Sequence, residues 1–256
     1  MTSAVSAIQA AAEKCFDAQR KSVTKQLQAA LGKVAKGAKE DLEAEVQKVL
    51  DGLDLEGYEA FADIIRAEVE QMFADGAVEA AEQVGEPLVG VSLKLTNEQA
   101  VEYAKDRAAE MVGMKWVNGK LVPNPNAEWV IADGTREMLR TDVRDAMTGG
   151  WSNDELAAAL QDNYAFSETR AEVVARTETA KADVQGNLAG YKATGIVSGK
   201  RWLTAPECCD DCQELDGEEV GIDEQFPNDG GDGPPLHPQC RCDVLPVLSG
   251  NEQEQD

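Results

Sequence analysis

KRWLTAPECCDDCQELDGEEVGIDEQFPNDGGDGPPLHPQCRCDVLPVL, residues 200–248, gathers five of the six cysteines and the single histidine into one segment. Lys200-Arg-Trp-Leu203 at its start and Cys242-Asp-Val-Leu-Pro-Val-Leu248 at its end are short apolar runs that predict strands, with a third around Glu219 to Ile222. The polar, Gly/Asp/Pro-rich loop between them has few apolar side chains to bury. Cys209-Asp-Asp-Cys212 puts two thiols on one tight turn, and His237 with Cys240 or Cys242 supplies donors from the far end of the loop. Four nitrogen and sulfur donors suit tetrahedral zinc. Cys209, Cys212, His237, Cys240 and Cys242 are therefore the candidate ligands and a structural zinc the expected cofactor, replacing a hydrophobic core the loop lacks. Five donors exceed four ligands, and Cys208 is left out because Cys209 and Cys212 already have the required spacing. A pair of disulfides, or free buried thiols, are the alternative readings.

The rest of the chain reads as helix. Aromatics are 5% of the 256 residues, and most apolar mass is Ala, Val and Leu, which favours helices packed through small side chains. From Thr2 to about Leu50, Val5, Ile8, Ala12, Phe16, Val23, Leu27 and Leu31 recur at helical spacing, with interruptions expected near Gly32 and Gly37. Tyr58, Phe61, Ile65, Val69, Met72 and Phe73 mark a second helix, antiparallel to the first. Thr96-Asn-Glu-Gln99 matches a capping box and predicts a third helix running to about Met111. Asn118-Gly119 between two apolar runs predicts a hairpin, and Pro123 with Pro125 a linker. Helices are then expected over 133–147, from a capping box at Ser152 to Glu155, and over 167–194 with a stop at Gly195. The fold class is mainly α with a small β element. The expected organisation is a helical region over 1–122 for docking a partner, an α+β domain over 123–248 with the Cys/His-clamped loop, and a disordered acidic tail over 249–256.

Charge and motif inventory narrow the function. The formal net charge is −24, and residues 204–256 carry fifteen acidic residues against the single Arg241. Such a surface opposes broad phosphate gripping and favours a protein partner. No apolar run approaches the length of a membrane span. His237 is followed by Pro238 and Gln239 and lies downstream of the cysteine pair, so the His-x-Glu element of zinc deaminases is missing. One histidine also cannot build a two-His zinc protease helix, and neither a phosphate-binding loop nor a dinucleotide fingerprint is present. No catalytic residue is assigned, and the expectation is a protein that is not an enzyme.

One family matches the motif order. Gly150-Trp-Ser152, Ala171, Ala175-Arg176-Thr177-Glu178-Thr179, Gly190-Tyr191, Gly195, Lys200-Arg-Trp202, Cys209-x-x-Cys212, Leu215-Asp-Gly217, Phe226, Pro234-Pro235-x-His237-Pro-x-Cys240-Arg-Cys242 and Pro246 resemble the head-morphogenesis domain of Mu F-like phage minor head proteins. The likeness covers about residues 126–248. It implies a minor head protein present in few copies in the virion, at the portal vertex or head interior, assembled in the bacterial host cytoplasm. Implied partners are the portal protein and/or the major capsid protein, with weak contact to packaged DNA, a role in head assembly, and packaging or ejection as an open extension. A metal-dependent enzyme or toxin-like effector is the competing reading. Arg176 and Glu178, two apart on a helix, do not face one another, and one of them is expected to tie the long helix to the cysteine loop.

Overall fold

Helix punctuation sets most element ends. The computed structural model describes residues 3–32, 42–55 and 57–249. α1 (Ser3–Leu31) stops at Gly32, and α2 (Leu42–Asp51) follows; the break expected at Gly37 lies outside the described residues. After α3 (Gly57–Gln83) and α4 (Val91–Met111) come β1 (Met114–Val117) and β2 (Lys120–Pro123), then α5 (Ile131–Gly149), α6 (Asn153–Asp162), a short 3-10 turn (Tyr164–Phe166) and α7 (Glu168–Thr194). β3 (Val197–Leu203), the four-residue α8 (Asp210–Gln213), β4 (Glu219–Gly221) and β5 (Asp243–Leu248) complete the chain. The architecture is mainly helical with two small antiparallel sheets, as the patterning predicts.

Asn118 and Gly119 both take positive φ, 50° and 74°, as the two-residue turn between β1 and β2 demands. Ser152 accepts from Glu155 N–H while the Glu155 carboxylate accepts from Ser152 N–H, the reciprocal cap expected for α6. One predicted start is wrong. α4 begins at Val91, and Thr96 is buried inside it, its hydroxyl donating to the Ser92 carbonyl at 3.0 Å. A threonine can satisfy its hydroxyl on the preceding turn as readily as it caps a new one, and the apolar Val91-Ser-Leu-Lys-Leu95 run extends the helix upstream. The acidic tail expected from residue 249 lies, beyond Ser249, outside the described residues.

The chain divides into two compact units, each made of separate stretches of sequence. One unit comprises Ser6–Ile65 and Asp106–Glu172; the other comprises Met1–Val5, Arg66–Lys105 and Val173–Asp256. A linear reading finds loops, whereas long helices carry one chain segment into both units.

In the first unit, Ile8, Ala12, Phe16, Val23 and Leu27 of α1 are fully buried, together with Tyr58, Phe61 and Ile65 of α3 and Leu139 and Val143 of α5. Phe16 meets Tyr58 edge-on at 6.2 Å and Phe61 at 6.1 Å. At its centre Arg170 is 5% exposed and donates to Thr135 Oγ1 (2.8 Å), Ala165 O (2.7 Å) and Ile131 O (3.0 Å), with its guanidinium 4.9 Å from the Phe16 ring centre.

In the second unit, α3 and α7 meet through glycines. A side chain at Gly186 would run into the Phe73 backbone and one at Gly190 into the Ala77 backbone, so this four-residue spacing lets the two helix backbones approach closely. β3 is the centre of a three-stranded sheet ordered β4-β3-β5, with Lys200 opposite Val220 on one side and Pro246 on the other. Ala80, Val184, Leu188 and Tyr191 from the helices, Val197, Trp202 and Val244 from the sheet, and Leu215 and Phe226 from the loop form one apolar cluster.

Candidate metal centre

Two short turns present the sulfur and nitrogen donors. Cys209 precedes α8, and its Sγ accepts from Cys212 N–H at 3.5 Å. The second turn closes through Cys240 N–H to His237 O at 3.1 Å, with Gln239 at φ 63°. The loop brings both together. His237 Nε2 lies 3.2 Å from Cys209 Sγ and 3.4 Å from Cys212 Sγ, and Cys212 Sγ lies 3.7 Å from Cys240 Sγ. The donor atoms form two triads, Cys209/Cys212/His237 and Cys212/Cys240/Cys242, in each of which all lie within 4.8 Å of one another. All five residues named from the sequence thus converge, and Cys212 belongs to both triads.

Burial grades across the centre. Cys212, Cys240 and Cys242 are buried, His237 is half-buried and Cys209 is exposed. No two cysteines are bonded, and Cys208 lies apart with Sγ 3.6 Å from Gln213 Oε1. Burial, reinforced by the neighbouring sulfurs, pushes the Cys212 thiol far up. Burial also raises Cys242, opposed by a hydrogen bond from Ala205 N–H. Clustered buried sulfurs resist ionisation unless a cation joins them.

The loop is better supplied with apolar contacts than its composition suggests. Leu215 is fully buried, Phe226 is 4% exposed, and Cys212, Cys240 and Cys242 belong to the same apolar cluster as Trp202 and Val244. The expectation of a coreless flap is therefore corrected: a few well-placed side chains join a core built mostly by α7 and β3. Trp202 and Phe226 meet edge-on at 5.2 Å. Lys200, 1% exposed, donates to Asp232 O at 2.8 Å and sits 5.3 Å from the Phe226 ring centre. Burial lowers its ammonium pKa. Nothing in the β-strand pattern distinguishes this lysine from a solvent-facing one; only the cage around it does.

A bond from α7 to the second turn comes from Thr177, whose Oγ1 accepts from Gln239 N–H at 3.1 Å. Thr177 lies between the two charged residues singled out in the sequence; Arg176 is exposed and Glu178 buried. A hydroxyl serves here because the group offered by the turn is a single backbone N–H.

Residues 137–245, from within α5 to within β5 and including all five donors, match the family described as Phage Mu protein F like protein. The chain shares 29% identity over 121 residues with an uncharacterized protein of Haemophilus influenzae, a match covering 46% of this chain and 26% of that protein. A second relative, the uncharacterized protein YqbB of Bacillus subtilis, is 24% identical over 226 residues, covering 82% of this chain and 63% of its own. The chain thus spans about a quarter of the first relative and less than two thirds of the second. No solved structure matches.

Proposed function

We propose that this chain is a structural component of a phage head, built in at the portal vertex or the inner face of the capsid and acting in head assembly. The observation that carries the reading is the F-like match over residues 137–245, which takes in the α7 glycines, β3, β4, the start of β5 and the whole donor cluster. The donors sit in a folded-back loop with three of the five cysteines buried, an arrangement suited to holding a shape and poorly suited to admitting a substrate. Fifteen acidic residues against one arginine over 204–256 favour a protein surface, the portal or the major capsid protein, over packaged DNA. Among the described residues no helix is long and apolar enough to cross a membrane.

The test is fractionation of phage particles from cells producing the chain. Recovery in purified heads at low copy number, and cross-linking to the portal or major capsid protein, is the expected result. Recovery only as a free protein, absent from heads at every stage of assembly, would overturn the proposal.

A further inference from the structure

The geometry points to a closed, four-coordinate zinc centre made by Cys209, Cys212, His237 and Cys240, with Cys242 beside it as a supporting thiol and not a ligand. Zinc–sulfur bonds of about 2.3 Å and a zinc–nitrogen bond of about 2.0 Å imply tetrahedral edges of roughly 3.8 Å between sulfurs and roughly 3.5 Å between sulfur and nitrogen. The observed separations, 3.7 Å from Cys212 to Cys240 and 3.2 and 3.4 Å from His237 to Cys209 and Cys212, lie close to three of the six edges, while Cys240 joins the Cys209/Cys212/His237 triad only through Cys212, so an ion would have to draw it toward the other two donors. His237 is already set for the task. Its Nδ1 lies 2.9 Å from Pro238 O, a contact that places the ring proton on Nδ1 and leaves the Nε2 lone pair facing the two sulfurs.

The choice of the fourth ligand follows from the turns. Cys209 and Cys212 share one two-residue turn, and His237 and Cys240 share the other, so each pair moves as a unit. Cys242 stands outside both, at the start of the approach to β5. The sulfur remains near Cys212 and Cys240 and is positioned to support their thiolates. Through the bond between Gln239 N–H and Thr177 Oγ1, an ion fixing the second turn would also fasten the loop to α7. This inference does not depend on the head assignment.

Full-length protein, stripped by chelation under reducing conditions, is titrated with cobalt and with zinc. About one equivalent is expected, with the visible absorption of tetrahedral cobalt and thiolate charge-transfer bands. X-ray absorption of the zinc-loaded wild-type chain should show three sulfurs and one nitrogen, a measurement that needs no variant to fold. Cys242→Ala should keep that spectrum and weaken zinc by roughly 10-fold, whereas Cys240→Ala should lose about a third of the charge-transfer intensity, one thiolate of three. Absence of stoichiometric binding, four sulfurs around the zinc, or the intensity loss in Cys242→Ala with Cys240→Ala unchanged would each overturn the assignment.

Discussion

The two compact units each bury polar groups, in opposite ways. Arg170 brings a full charge into the interior of one and finds three neutral oxygens and an aromatic face already in place. The cysteine centre of the other gathers thiols around one imidazole nitrogen, the ring's other nitrogen lying against the Pro238 carbonyl. A guanidinium carries its own charge and needs only acceptors, which helix carbonyls supply. Neutral thiols are weak donors and weak acceptors, and gathering them gains little until a cation turns them into ligands. One buried centre is complete as folded, and the other is, on the zinc proposal, a framework for an ion.

Breaking the first centre should give the largest effect. Arg170→Ala removes three buried hydrogen bonds, taking from the Ala165 carbonyl its side-chain donor while Thr135 keeps Ile131 O and Tyr58, and is expected to cost about 3 kcal/mol in chemical denaturation. Lysine should restore little of it, because one ammonium cannot reproduce the planar fork. Gly190→Val, which drives a side chain into the Ala77 backbone, should cost about 2–3 kcal/mol and lower the melting midpoint.

Chelation sharpens the contrast without mutation. Hydrogen exchange over residues 205–242 should accelerate when metal is withdrawn, while protection in α1, α2 and α5 stays unchanged. Because Leu215 and Phe226 are buried with Trp202, amides beside them should retain more protection than those of the His237–Cys240 turn. Uniform loss across the loop would show that the ion, not this core, holds it.

A smaller effect is expected from pH. Burial, with Asp243 and Glu79 nearby, raises Asp183 from 3.8 to about 6. A carboxyl whose folded pKa lies above its unfolded value contributes fully below the unfolded pKa, and that contribution is lost as pH rises through about 6. Asp183→Asn should therefore raise the melting midpoint at pH 7 and make no difference near pH 3. The smallest change, Ser152→Ala, removes the α6 cap and should cost about 1 kcal/mol.

Much of the helical architecture was legible because its signals are local. The Asn118-Gly119 turn, the Ser152–Glu155 box and the glycine stops at 150 and 195 each depend on a few neighbouring residues. The Thr96 box misled for the same reason: four residues cannot report that the turn before them is also helical. Gly186 and Gly190 carried a readable hint in their spacing, whereas Arg170 and Lys200 looked like ordinary surface cations.

Composition and spacing alone determined a mainly helical chain, a hairpin and the strands around a cysteine-rich loop, and singled out the five side chains that converge there, because backbone preferences and two-residue turns act within a few residues. Only the tertiary structure decided which sulfur meets which, that Thr177 holds the second turn, and that the loop shares a core with α7 and β3. Those outcomes depend on contacts between residues far apart in the chain, and no local pattern encodes the partner at the other end.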